Sequence, residues 1–72
     1  MFLQVTHKDG KQIAVEVGII RWVEEASDKI RQSDLRAATV VMTEPAQGHS
    51  ATIVVQDSYD SIMEHLAAME KL

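Results

Sequence analysis

Cysteine is absent from this 72-residue chain, so disulfides and thiolate metal sites are excluded. Glycine occurs three times and proline once. That leaves no Gly-rich phosphate loop, and no serine sits in a Gly-x-Ser-x-Gly turn. No apolar run approaches the about 20 residues needed to span a bilayer. Met1-Phe2-Leu3 gives way at once to Gln4, Thr6, His7, Lys8 and Asp9 rather than to an apolar leader. A cytoplasmic location is the expectation. An excess of positive charge is also missing, because the formal net charge is -4. Phosphate contacts need a concentrated positive patch. Of the basic residues, Arg21, Lys29, Arg31 and Arg36 lie in one stretch, but they alternate with Glu24, Glu25, Asp28 and Asp34. Mixed signs of this kind read as a solvated face.

What is present is an ordinary apolar content of 46%, enough for a folded chain. The length gives one domain over residues 1–72. A chain this short buries only roughly 60% of the surface that it exposes when unfolded. Without a disulfide or a thiolate-bound metal, the remaining routes to stability are a tightly packed core or self-association.

Phe2–His7 alternates in polarity, as does Gln12–Val17 with Ile13, Val15 and Val17 on one side. Between them Lys8-Asp9-Gly10-Lys11 supplies residues that tolerate positive φ, a strong hairpin signal. Thr39-Val40-Val41-Met42-Thr43 and Ala51–Gln56 form a second strand pair around the loop Glu44–Ser50. Both of its strands are apolar on both faces, as central strands are, or strands whose second face meets another chain. Asp57 or Ser58 caps a helix whose stripe is Tyr59, Ile62, Met63, Leu66 and Met69. Residues 18–37 admit two readings. Ile19–Glu24 is rich in β-formers and reads as a strand followed by a polar loop of a dozen residues, Ala26–Ala37. Yet Ile19, Trp22, Val23, Ala26 and Ile30 also share a helical face, which would make the order ββαββα.

The search for chemistry returns bland readings. His7, His49 and His65 have no metal-ligand spacing and read as surface histidines. Asp60 and Glu64 are one turn apart, but on the face of the helix expected in water. A catalytic centre would need His49, Ser50 and a carboxylate to converge beside a pocket. No catalytic, cofactor or metal residue is assigned, and the chain is expected not to be an enzyme.

Trp22 reads either as a core side chain or as an interface anchor beside Arg21, since Trp and Arg are enriched at binding hot spots. One helix covers one face of a sheet, which leaves Trp22, Val41 and Val54 as candidates for an uncovered face that a partner hides. The interface candidates are therefore Arg21, Trp22, Val41 and Val54.

The opening strand Phe2–Thr6, the turn Asp9-Gly10-Lys11, the apolar run Ile19–Glu24 and the junction Val55-Gln56-Asp57-Ser58-Tyr59-Asp60-Ser61-Ile62 together give an order that resembles the small flagellar proteins of the FlbD/SwrD type. The Asn-Pro that commonly precedes the third strand of that family is replaced by Val17-Gly18. The resemblance implies a strand at 19–24 and an accessory role in flagellar motor function, with no catalytic residue.

The expected fold is thus α+β: a small antiparallel sheet of two β-hairpins, a further strand at 19–24, and a helix over Ser58–Lys71 packed on one face. The expected function is a non-catalytic, bacterial-type protein-interaction module that pairs with itself as a homodimer or higher oligomer, with another protein as a further partner. The alternative is a nucleic-acid-binding regulator in which Arg21, Lys29, Arg31 and Arg36 form a basic ridge on a helix spanning Gly18–Arg36.

Overall fold

The computed structural model describes residues 1–45 and 52–70. Its elements run β1 (Phe2–Thr6), β2 (Gln12–Glu16), one 3-10 turn (Val17–Ile19), β3 (Ile20–Glu25), α1 (Asp28–Ser33), β4 (Thr39–Thr43), β5 (Thr52–Val55) and α2 (Tyr59–Glu70). Strands β1 and β2 pair antiparallel from Phe2↔Glu16 to Thr6↔Gln12. Strands β3, β4 and β5 form a second antiparallel sheet in that order.

The first hairpin closes as its turn residues require. His7 N donates to Lys11 O at 2.8 Å and Gly10 N to His7 O at 2.9 Å. Gly10 takes φ +97°. This three-residue loop needs a positive φ at its last position, which costs glycine nothing and a residue with a Cβ something. Asp9 Oδ1 accepts the Lys11 amide at 3.0 Å and holds the turn from the other side.

The two sheets meet where β1 ends beside β5. Gln56 N donates to Thr6 O at 2.8 Å and Lys8 N to Val54 O at 2.9 Å, around a bridge between His7 and Val55. The strands thus follow one another in space as β2, β1, β5, β4, β3. Asp57 completes the junction. Its Oδ1 accepts the Thr6 amide at 2.6 Å, and its backbone oxygen accepts the Thr39 hydroxyl at 2.6 Å. Asp57 is therefore not the helix cap. Ser58 is: its Oγ accepts the Ser61 amide at 3.1 Å, and its carbonyl takes the first helical bond from Ile62 N.

Helix α2 lays Ile62, Leu66 and Met69 on the main core. That core joins Leu3, Val5, Val15, Val41 and Val55 across both sheets, with Ile13, Val17, Ile20, Val23 and Ile53 at its margin. Met63 of the expected stripe is exposed, and Lys71 lies outside the described residues.

The expected strand at 19–24 is present as β3, Ile20–Glu25. Two other expectations for residues 18–37 need correction: the loop after that strand contains α1, and the segment is not one helix. Ile20 and Val23 both pack on the main core although they are three residues apart. A bulge makes this possible: the register runs Ile20↔Thr43 and then Trp22↔Met42, so Arg21 is an extra residue. The bulge shifts the parity of β3, and the shifted spacing imitates a helical period. Downstream, the expected polar loop contains α1, capped by Ser27, whose Oγ accepts Ile30 N at 3.3 Å.

That short helix has a consequence for the second face of the sheet. Ala26, Ala37 and Val40 form their own buried cluster, with Ile30, Met42 and Val54 packed against it. Ile30 of α1, with Ala26 and Ala37 on either side of that helix, thus packs on the second face of β4 and β5. Val41, expected on that face, is 0% exposed in the main core instead.

Two stability measurements follow from this geometry. Asp57→Ala leaves the Thr6 amide without its acceptor and is expected to lower the unfolding free energy by about 1–3 kcal/mol, against about 1 kcal/mol for Ser58→Ala. Equal losses in urea titrations would remove the junction from its central place. Gly10→Ala is expected to cost about 1–2 kcal/mol through the positive φ alone, since a Cβ there meets open space.

Candidate functional site

Among the described residues β3 has β4 as its only strand partner, so one long side of it is an edge there. The phase of its backbone follows from bonds at the far side of the sheet. Lys8 N–Val54 O and Gln56 N–Thr6 O turn residues 54 and 56 toward β1. Successive residues of a strand point their polar backbone groups to opposite sides, so Ile53 and Val55 turn toward β4. The pairs Val41↔Ile53 and Thr39↔Val55 then leave Val40 and Met42 facing β3. Their partners Glu24 and Trp22 face back toward β4, and the bond from Ala26 N to Ala38 O is in the same phase. Val23 and Glu25 are left directing their N–H and C=O to the open edge.

The side chains along this edge are exposed: Arg21, Trp22, Glu24 and Glu25. Trp22 is 59% exposed although it stands opposite the half-buried Met42. The cover from α1 centres on Val40 and Val54 and stops short of the indole. Trp22 Nε1 donates to Glu24 Oε2 at 3.3 Å, an exposed bond between two side chains on one face of the strand. Among the described residues the other large exposed apolar side chains are Met1, Phe2, Leu35 and Met63, of which none lies on β3.

The four interface candidates thus separate. Arg21 and Trp22 are on the open edge. Val54 is half-buried against the cluster that α1 covers, and Val41 has no exposed surface. Glu24, Glu25 and the outward backbone of Val23 also belong to the edge and are not among the four candidates. The signal for them is the opposite charge at Arg21 and Glu25, four residues apart on a strand.

The basic residues divide as well. Arg21 is on β3, Lys29 and Arg31 are on α1, and Arg36 is in the turn beyond it. The single helix over Gly18–Arg36 that a basic ridge required does not form.

Elsewhere the polar groups serve the fold. His7 Nδ1 lies 3.1 Å from Asp9 Oδ1 in the hairpin turn. Asp60, Glu64 and His65 are exposed on α2. An open groove of about 350 Å³ is lined by Lys8, Lys29, Ile30, Ser33, Asp34 and Val54. His49 and Ser50 lie outside the described residues. Among the described residues no three His, Asp or Glu side chains are placed to hold a metal ion, and no helix is long and apolar enough to cross a membrane. No protein-family model, curated protein or solved structure matches this chain.

The Asp9 carboxyl is held below its ordinary value, chiefly by the Lys11 backbone N–H and to a smaller degree by His7. A depressed folded-state value means that this carboxylate stabilises the turn above about pH 4 and loses that contribution as pH falls through its folded-state value. Carboxyl NMR on the His7→Ala variant is expected to show Asp9 still titrating below the ordinary value, because the main cause is a backbone group. A return to the ordinary value would reassign the shift to the imidazole.

Proposed function

We propose that this chain is a non-catalytic protein-interaction module that associates with itself through the open edge of β3. The observation that carries the proposal is one strand presenting outward backbone groups together with an exposed Trp22 and Arg21. An unpaired ladder accepts another strand, and aromatic and arginine side chains supply much of the contact energy at interfaces. The residues that a catalytic reading recruits, His49 and Ser50, lie outside the described residues. A cytoplasmic setting is part of the proposal. Nucleic-acid binding and a flagellar accessory role rank behind it, since no contact of the fold favours either.

A contact built on one six-residue strand is small. It belongs with the weak interfaces that bury less than about 1,200 Å². Light scattering across a dilution series is expected to show the mass falling from a multiple of the chain to the single chain. Trp22→Ala should move that transition to higher concentration while changing the unfolding free energy by no more than about 0.5 kcal/mol, as surface substitutions usually do. A single-chain mass at every concentration would overturn the proposal.

A further inference from the structure

We propose that two copies pair antiparallel through β3 about a two-fold axis at Val23, extending one sheet across both copies. This rests on the self-association reading above and assigns it a register. Three constraints select that register.

The first is the facing of side chains. Residues directly opposite in an antiparallel pair point to the same face of the sheet. Trp22 and Glu24 share the face of Val40 and Met42, whereas Val23 shares the core face with Val41. The axis must therefore pass through a residue and not between two, which leaves Trp22, Val23 or Glu24 as the central position.

The second is charge. An axis at Glu24 sets that carboxylate opposite the partner's Glu24, and directly opposed like charges are destabilising. An axis at Trp22 sets Arg21 opposite the partner's Val23 and leaves Glu24 opposite the partner's Ile20, so no charge finds its opposite. An axis at Val23 sets Arg21 opposite the partner's Glu25 and Trp22 opposite the partner's Glu24, and the symmetry makes each contact twice. Arg21 is the extra residue of the bulge. With Glu24 and Glu25 of the partner on alternate faces, an acid lies near Arg21 on whichever face the bulge presents it.

The third is the backbone. Val23 and Glu25 direct their N–H and C=O outward, by the alternation set out above. At an axis through Val23, the two Val23 residues exchange both bonds as a hydrogen-bonded pair. Trp22 and the partner's Glu24 form the closer-spaced pair beside it. The indole N–H, already bound to Glu24 within its own chain at 3.3 Å, then has a second carboxylate opposite.

The test uses Arg21→Glu and Glu25→Arg, each in the full chain. Either variant alone places like charges opposite each other, and each is expected to raise the dimer dissociation constant by about tenfold or more, since 1.4 kcal/mol is a factor of ten. Mixed one to one, the two variants are complementary at both contacts and should pair with about the wild-type constant. Sedimentation gives the mass, and the emission of Trp22, the only tryptophan, reports its burial. Pairing of the mixture also shows that both variants are folded. Wild-type mass retained by each variant alone would overturn the register and leave self-association standing. Single variants that dissociate and are not rescued by mixing would also overturn the register. A wild-type chain that stays single at all concentrations would overturn self-association itself.

Discussion

The structure depends on one residue placed between two sheets. The Asp57 carboxylate accepts the Thr6 amide at the end of β1, and its backbone oxygen accepts the Thr39 hydroxyl at the start of β4, each at 2.6 Å. A buried backbone N–H must find an acceptor, and Thr6 lies where the hairpin leaves its own ladder. Thr39 is fully buried and needs the same satisfaction for its hydroxyl. One residue answers both demands because the chain turns there from β5 into α2. The position of that turn in turn sets where Ile62, Leu66 and Met69 land, and so where the core is. A separate two-stranded hairpin is marginal in water; joined to β5 by this junction, it shares one core with the three-stranded sheet.

Coverage of apolar surface decides what is left for contact. The longer helix closes the main core, and Ile30 of α1 packs with Ala26 and Ala37 on the opposite face of β4 and β5. Outside both clusters lie the exposed side chains along the edge of β3, with Arg21 at the bulge and Trp22 beside it. Edge strands are commonly guarded by charge or bulges. This strand carries both, with Arg21 on one side of Val23 and two glutamates on the other. Charges of one sign would only repel another copy, whereas charges of opposite sign about an apolar centre repel in some registers and attract in one.

Much of the fold was legible locally. Asp9-Gly10 marked the first hairpin because only a residue without a Cβ takes the required φ cheaply, and Gly10 takes it. A cap at Asp57 or Ser58 and the stripe of Tyr59, Ile62, Met63, Leu66 and Met69 mark α2, because capping and amphipathicity are properties of neighbouring residues; Ser58 is the cap, and of the stripe Met63 is exposed. Residues 18–37 were harder. A bulge breaks the period of two on which strand reading depends, and α1 is too short to display a period of its own. Of the interface candidates, Arg21 and Trp22 are exposed on β3. Val41 is buried, and its sequence could not show this, because which face of an apolar strand meets the longer helix is invisible in a strand that is apolar on both.

By itself, the sequence determined the elements that are settled within a few residues: the turn chemistry, the helix cap, the apolar alternation and the absence of cysteine. Tertiary structure alone decided the role of Asp57 as junction rather than cap, the packing of α1 on the second sheet face, and the exposure of β3 along one edge. The reason is range. Each of those outcomes depends on groups distant in the chain, such as Thr6 and Asp57 at a separation of 51 residues, and no local pattern encodes which strand will lack a neighbour.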